Sequence, residues 1–176
     1  MNYFSTLLAA TLLASSLTAC DKDSAEPLLE EPQAEFYVQA RQNDNVWLKT
    51  GVTGVYGNYY KSKRTFFVTG ADPQSIGIVE KLTLSFSMPK RQLLSSIQAL
   101  PATWLEIGGG DMIFNQFMST TAQGLPTIQV TQLDTINRII EGRFEATLQR
   151  DDFYTKQVEL KRFKSGTFRV QYYEHD

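Results

Sequence analysis

The feature that most constrains the fold is a ten-residue segment, Ile140–Gln149, in which apolar or small side chains alternate strictly with polar ones. Successive side chains of a β-strand point to opposite faces of a sheet, so this alternation places one set in a core and the other in solvent. The segment therefore predicts a half-buried strand of an antiparallel sheet with one solvated face.

The same period of two recurs along the rest of the chain. It is clear in Lys81–Ser87, and shorter segments extend the series: Phe36–Ala40, Ile128–Val130, Val158–Leu160 and Phe168–Tyr172. Thr65–Thr69 is β-branched and aromatic, and Val46–Lys49 follows a turn signal, so both are also expected to be strands. Turn-forming residues separate these segments at Asn43–Asn45, Asp134–Asn137 and Lys164–Gly166. Short connections favour a meander over βαβ units. The prediction is an all-β fold, an antiparallel β-sandwich or barrel-like meander of about eight to ten strands.

One segment departs from this pattern. Between Pro89 and Leu100, the apolar residues Leu93, Ile97 and Leu100 follow the spacing of a helical face. Proline suits the first turn of a helix, and Pro101 would end it. We therefore expect one short helix of about three turns that covers an open end or a face of the sheet.

Charge divides the 176 residues into three parts. Residues 1–19 carry no charge, residues 20–35 hold six acids and one lysine, and residues 36–176 hold 13 acids and 16 lysines or arginines. The middle part also contains two prolines and no aromatic residue, so it has too little apolar surface to fold alone. We expect a signal peptide at 1–19, a flexible acidic tether at 20–35 and a single β domain at 36–176.

The uncharged segment ends in Leu17, Thr18, Ala19 and Cys20, the only cysteine of the chain. This sequence resembles a bacterial lipobox, which implies cleavage before Cys20 and acylation of its thiol. Two or more acyl chains would anchor the protein stably to a membrane. The segment departs from the usual signal in having no lysine or arginine near Met1. The alternative is that Cys20 is a small apolar residue of an ordinary secretory signal.

The residues after Cys20 leave the destination open. Acids directly after a lipidated cysteine resemble the export signal of surface lipoproteins in Bacteroidota, whereas Asp21 resembles an inner-membrane retention signal of other Gram-negative envelopes. The segments Phe36–Ala40, Thr127–Asp134, Ile140–Phe144 and Gly166–Phe168 are similar to small Bacteroidota lipoproteins of unknown function. That resemblance implies an all-β lipoprotein anchored in the cell envelope, expected at the outer membrane. It supplies no activity and no catalytic residue.

Catalytic and metal-binding patterns are weak. The only histidine, His175, is penultimate, where chains are commonly frayed, and one histidine with one lipidated cysteine cannot supply four zinc ligands. The acids that a hydrolase or a calcium ion could use are Asp111, Asp134, Glu141, Glu145, Asp151 and Asp152, and turns or surface ion pairs explain them equally well. We therefore expect no enzyme activity, no cofactor and no metal.

An aromatic segment is the strongest candidate for binding. Trp47, Tyr56, Tyr59 and Tyr60 lie close together in sequence, beside Gly54 and Gly57. Tyrosine offers a large rigid face with a polar end, on which proteins or sugar rings can pack. Aromatic packing at the edge of a core is the alternative. Trp104 is expected in the core.

The basic clusters Lys61–Arg64 and Lys161–Lys164 could meet an anionic polysaccharide or lipid phosphate, or could be solvated strand ends. Three functions follow. The first is a lipid-anchored protein that binds an envelope protein or a glycan, with nucleic acid excluded as a partner by the location. The second is an accessory subunit of an envelope complex, and the third is a carboxylate-dependent hydrolase.

Overall fold

The computed structural model describes residues 29–72, 77–89, 94 and 97–176. Ten β-strands account for most of these residues. They are β1 (Tyr37–Gln42), β2 (Asn45–Thr50), β3 (Val55–Tyr60), β4 (Thr65–Ala71), β5 (Val79–Ser87), β6 (Gln98–Ile107), β7 (Ile113–Met118), β8 (Thr127–Asp134), β9 (Ile139–Arg150) and β10 (Leu160–His175). The all-β fold predicted from the alternation is confirmed.

Two long strands close the sheet on itself. One edge of β10 pairs with β9 from Leu160 to Gln171, and its other edge pairs first with β1 and then, from Tyr172 to His175, with β3. Strands β3, β4, β5, β6 and β7 follow in an antiparallel meander, and β7 returns to β9 at Arg150. Seven strands therefore form a ring, with the β1–β2 hairpin added on β10 and β8 added on β9. The pairing of β10 with β3 is parallel, which departs from the purely antiparallel prediction.

The inward faces of the ring and the hairpin form one core. Its largest fully buried side chains are Trp104, Tyr172, Phe66, Phe86, Phe163 and Phe168. In β9 the inward set is the one that the alternation predicts, because Ile140, Phe144 and Leu148 are all buried. Trp104 is fully buried, as expected.

The predicted helix between Pro89 and Leu100 is wrong over its last residues. Strand β6 begins at Gln98 and continues through Pro101, and Leu100 pairs with Ser85 of β5. Pro101 lies in a β-bulge, where the register of β6 with β5 shifts. Proline has no backbone N–H, and at a bulge this removes no hydrogen bond between the two strands. Residues 90–93 and 95–96 of the predicted helix lie outside the described residues.

The turn predicted at Lys164–Gly166 is also wrong, because β10 runs through it as one strand of 16 residues. A register shift between Phe163 and Gly166 marks a bulge, with Ser165 at φ 49°. The space of a Cβ on Gly166 is filled by the ring of Phe144, at 2.5 Å. The turns predicted at Asn43–Asn45 and Asp134–Asn137 are confirmed, and Asn43 and Asp44 both have positive φ.

The last residues of the predicted tether contact the domain. The Gln39 side chain on β1 donates a hydrogen bond to the carbonyl oxygen of Glu30, at 2.9 Å. The Tyr37 hydroxyl lies 3.5 Å from Oε1 of Glu31. Residues 30 and 31 therefore lie along the outer side of β1. The predicted signal peptide, Cys20 and residues 21–28 lie outside the described residues, so the boundary at residue 36 stays a prediction.

Candidate functional site

Strand β3 divides the tyrosines of the aromatic segment between two faces. Its inward side chains, Val55 and Tyr59, pack in the core, while Tyr56, Asn58 and Tyr60 point outward. This separation follows directly from the period of two along a strand. Tyr56 and Tyr60 therefore share one outer surface, and Tyr59 does not belong to it.

The outward side chains of β3 form a groove with those of the next two strands. Phe67 and Thr69 of β4, and Lys81 and Thr83 of β5, complete its floor, and Lys63 borders it from the β3–β4 turn. We call this surface the β3–β5 groove. Its volume is about 430 Å³, within the size range of small-molecule binding sites. It is partly open to solvent.

The aromatic side of the groove is held in place by ring contacts. Tyr60 meets Phe67 edge-on with 5.6 Å between ring centroids, and its other neighbour is His175, stacked at 4.7 Å. His175 Nε2 also lies 2.8 Å from Oδ1 of Asn58. The C-terminal strand thus orients two groove residues, and the expected fraying at His175 is not observed, because the Lys61 N–H donates to the His175 carbonyl.

Positive charge accompanies these rings. Lys63 and Lys81 both line the groove, whereas no carboxylate does so among the described residues. Lys49, Lys61 and Lys161 form ion pairs with carboxylates that do not line the groove. The groove therefore combines aromatic faces, hydroxyl and amide groups, and two positive charges. This combination suits a ligand with sugar-like rings and negative charge.

The two other residues proposed for binding lie inside the fold. Trp47 is 6% exposed, packs edge-on against Phe163 and donates from Nε1 to Glu80 Oε2 at 3.2 Å. Tyr59 stacks on Phe66 with 4.3 Å between centroids. Aromatic packing in the core, the alternative that the sequence left open, describes the positions of both residues.

Sequence reasoning missed Phe67, Lys81 and Thr83. Thr65–Thr69 does not alternate and gives no outward-facing signal for Phe67. Lys81 and Thr83 stand at polar positions of the alternating segment Lys81–Ser87, which marks their side chains as outward-facing. That signal was available from the sequence. Their proximity to Tyr56 was not, because it depends on the register of β3 with β4 and of β4 with β5.

The basic cluster Lys161–Lys164 is divided in the same way as the tyrosines. Lys161 lies inward, with Nζ 4.4 Å from the Trp104 ring centroid and 3.6 Å from Glu106 Oε1. Arg162 is exposed on the outside. In the other cluster, Lys61 pairs with Glu174 at 3.0 Å, and only Lys63 faces the groove.

Three of the acids considered for catalysis, Glu141, Asp151 and Asp134, bind the backbone or pair with arginine. Glu141 pairs with Arg169, and Asp151 Oδ1 accepts from the Phe153 N–H at 2.8 Å. Asp134 accepts hydrogen bonds from Asn137, first of all from its backbone N–H, and these lower the pKa of the carboxyl. Glu145 borders a separate groove beside β10, and Asp111 lies in a short 3-10 turn with φ 59°.

Other acids lie close to lysines at one end of the ring. Lys49 Nζ is 2.5 Å from Asp72 Oδ1 and 3.5 Å from Glu80 Oε2, and its side chain is only 10% exposed. Within the described ranges, no three acidic, histidine or cysteine side chains are grouped closely enough to bind a metal ion. The described part of the chain also contains no helix long and apolar enough to span a membrane.

The β3–β5 groove is thus the site in which predicted binding residues come together with residues that only the fold reveals. Comparison of the chain with known proteins finds no matching protein family, no matching curated protein and no matching solved structure.

Proposed function

We propose that this protein is a lipid-anchored component of a bacterial cell envelope that binds an anionic glycan in the β3–β5 groove. The observation that carries the proposal is the juxtaposition of Tyr56, Tyr60 and Phe67 with Lys63 and Lys81 on one outer surface. Sugar rings pack their C–H faces against aromatic rings, and lysines attract carboxylate, sulfate or phosphate substituents. The hydroxyl and amide groups of the groove can bond to sugar hydroxyls.

The anchor is supported by the sequence Leu17–Cys20 and by the chemistry of acylation at a thiol. It is tested by fractionating cells that express the wild type, Cys20→Ser or Ala19→Gly. Cys20→Ser should move the protein from the membrane to the soluble fraction. Ala19→Gly keeps a small residue before the cysteine and should stay in the membrane. Membrane retention of Cys20→Ser would refute acylation at this position.

Glycan binding is tested by titration calorimetry with tetragalacturonic acid, using maltotetraose as the neutral comparison. The wild type should bind the acidic oligosaccharide more tightly, and the difference should shrink as salt is added. Tyr60→Ala should weaken binding about 5–10-fold, since one aromatic contact contributes on the order of 1 kcal/mol or more.

Two matched variants make this test specific to the groove. Lys63→Ala should weaken binding of the acidic oligosaccharide, whereas Lys61→Ala, in the same turn but paired with Glu174, should not. Phe153→Ala removes an aromatic ring that is 86% exposed and does not line the groove, and should also be neutral. Equal binding by Tyr60→Ala, Lys63→Ala and the wild type would place the ligand elsewhere.

A second candidate function is that of an accessory subunit in an envelope complex. Strand β2 ends the order of strands in the sheet, and it presents Val46 and Leu48 outward, 63% and 43% exposed. A partner strand could pair with such an edge. Cross-linking in intact cells should then capture one stoichiometric partner, and Leu48→Lys should lose it while Ile136→Lys keeps it. If Leu48→Lys still captures the same partner as the wild type, this candidate function is refuted.

A further inference from the structure

Large apolar side chains are exposed at one end of the ring. They come from the β4–β5 connection, from the β6–β7 connection with the start of β7, and from the β9–β10 connection. We call them the loop rim, and they are Ile78, Met112, Ile113, Phe114, Phe153 and Val158. Phe153 and Val158 are 86% and 71% exposed, so the core does not explain their apolar character.

The register of the strands places the described residues of these connections side by side. Val79, which follows Ile78, pairs with Ile107, and Ile107 pairs with Ile113. At the start of the β9–β10 connection, the Asp151 N–H donates to the carbonyl of Gln116 in β7 at 2.9 Å. The loop rim is therefore one surface formed by neighbouring connections rather than a set of scattered residues.

The N-terminal segment runs toward the same end. Strand β1 runs from Tyr37 toward its turn with β2, where the Asn43 N–H donates to Arg162 near the start of β10. Glu31 contacts Tyr37, and the preceding Glu30 contacts Gln39. From Glu31 back to Glu30, the chain thus runs toward the β1–β2 turn, which lies at the same end as the β9–β10 connection.

Chain length limits how far the domain can lie from the anchor. Eight residues lie between Cys20 and Leu29, and the nine peptide steps that join the two can span at most about 30 Å. The ten residues of β6 alone extend roughly 33 Å. An anchor at Cys20 therefore holds the domain within about one strand length of the bilayer, with the loop-rim end toward it.

We propose that the loop rim inserts its apolar side chains into the interfacial region of the bilayer that carries the protein. This inference rests on the proposed lipid anchor at Cys20. Exposed aromatic and aliphatic residues gain free energy by leaving water for the acyl boundary. The charges beside the rim are mainly acidic, with Asp111, Asp151 and Asp152 against Lys156. Insertion is therefore apolar in origin and does not depend on anionic lipid.

The test uses the full lipidated protein in phosphatidylcholine vesicles with an environment-sensitive fluorophore on one introduced cysteine. Cys20 is the only native cysteine, and acylation blocks it. Phe153→Cys and Val158→Cys report on the loop rim. Ile136→Cys is the matched control, because it is 90% exposed and lies in the β8–β9 turn at the opposite end. All three sites are exposed, so the substitutions should preserve the fold.

Both rim probes should shift to shorter emission wavelength and be quenched by lipids that carry a spin label near the headgroup. The Ile136→Cys probe should do neither, and adding anionic phospholipid should leave the rim signal unchanged. Equal quenching of the rim probes and the Ile136→Cys probe would overturn the proposal. An emission shift of the rim probes without vesicles that grows with protein concentration would also overturn it, because a second copy of the protein would then cover the rim. A Cys20 thiol that still reacts would instead overturn the anchor, and this inference with it.

Discussion

Replacing Gly57 with alanine tests how the ring closes. A Cβ at this position would lie 2.8 Å from the Cβ and 3.3 Å from the Cα of Tyr172, and opposed Cβ atoms of paired strands normally lie about 4.5–5.5 Å apart. Both neighbouring atoms belong to or adjoin the backbone of β10, so no side-chain rotation can relieve the contact. Strands β3 and β10 must separate where their parallel pairing completes the ring.

The separation disturbs an aromatic cluster in addition to the backbone. Tyr172 meets Phe66 at 5.2 Å and Tyr59 at 6.4 Å between ring centroids. Overpacking of a core by one methyl group costs about 1–3 kcal/mol, and a rigid backbone neighbour favours the upper part of that range. For a domain of this size, a loss of about 2–3 kcal/mol lowers Tm by roughly 6–12 °C.

Thermal unfolding followed by circular dichroism measures this effect, with Gly109→Ala as the control. A Cβ at Gly109 would have no atom within 4 Å, and both substitutions restrict the unfolded chain equally. Hydrogen exchange at the Lys61 amide, which bonds to the His175 carbonyl, should accelerate in Gly57→Ala only. Equal Tm values for the two variants would refute the close approach of β3 and β10.

Three further predictions concern charge and ionisation. Lys49→Met should destabilise the protein by about 1–3 kcal/mol in chemical denaturation, because it leaves Asp72 and Glu80 without their cation. Lys61→Met, on an exposed pair, should leave the free energy of unfolding nearly unchanged. The pKa of Asp134 is lowered in the folded protein, so the ionised carboxylate stabilises the fold fully above the unfolded pKa of 3.8, and this stabilisation is lost as pH falls through the folded pKa. The Tm difference between wild type and Asp134→Ala should therefore narrow in acid, and a constant difference would contradict this. Burial raises the pKa of the Tyr172 hydroxyl above 10.0, so the neutral hydroxyl stabilises the fold fully below pH 10.0, and this stabilisation is lost as pH rises through the folded pKa. Tyr172→Phe has no group to ionise at this position, so its free energy of unfolding should fall less in alkali than that of the wild type.

The strands were predictable where one face meets the core and the other meets solvent. Ile140–Gln149 has that environment, and its alternation identifies both the strand and its buried side. The helix prediction failed at Leu100, which lies in β6, because a small number of apolar residues spaced three or four apart also occurs by chance in strands and loops. Pro101 was predicted to end a helix, and Ser165–Gly166 was predicted to lie in a turn. Both lie instead in β-bulges, through which a strand continues.

The candidate site was predictable only in part for a related reason. The period of two assigns Tyr56 and Tyr60 to one face and Tyr59 to the other once β3 is recognised as a strand. Trp47 lies close to these residues in sequence, but it packs inward against Phe163, more than 100 positions away. Lys81 joins the groove through two strand pairings. Such contacts depend on register between strands, which a single sequence does not encode locally.

The most direct measurement of glycan binding in the groove is an NMR titration of the protein with tetragalacturonic acid. The account predicts that amide shift changes concentrate on the outer face of β3, β4 and β5, at Tyr56, Asn58, Tyr60, Phe67, Thr69, Lys81 and Thr83. Residues of the opposite β8–β9 hairpin, such as Gln129 and Arg143, should remain unchanged. Shifts centred on the grooves beside Arg162, or no shifts with the acidic oligosaccharide, would contradict it.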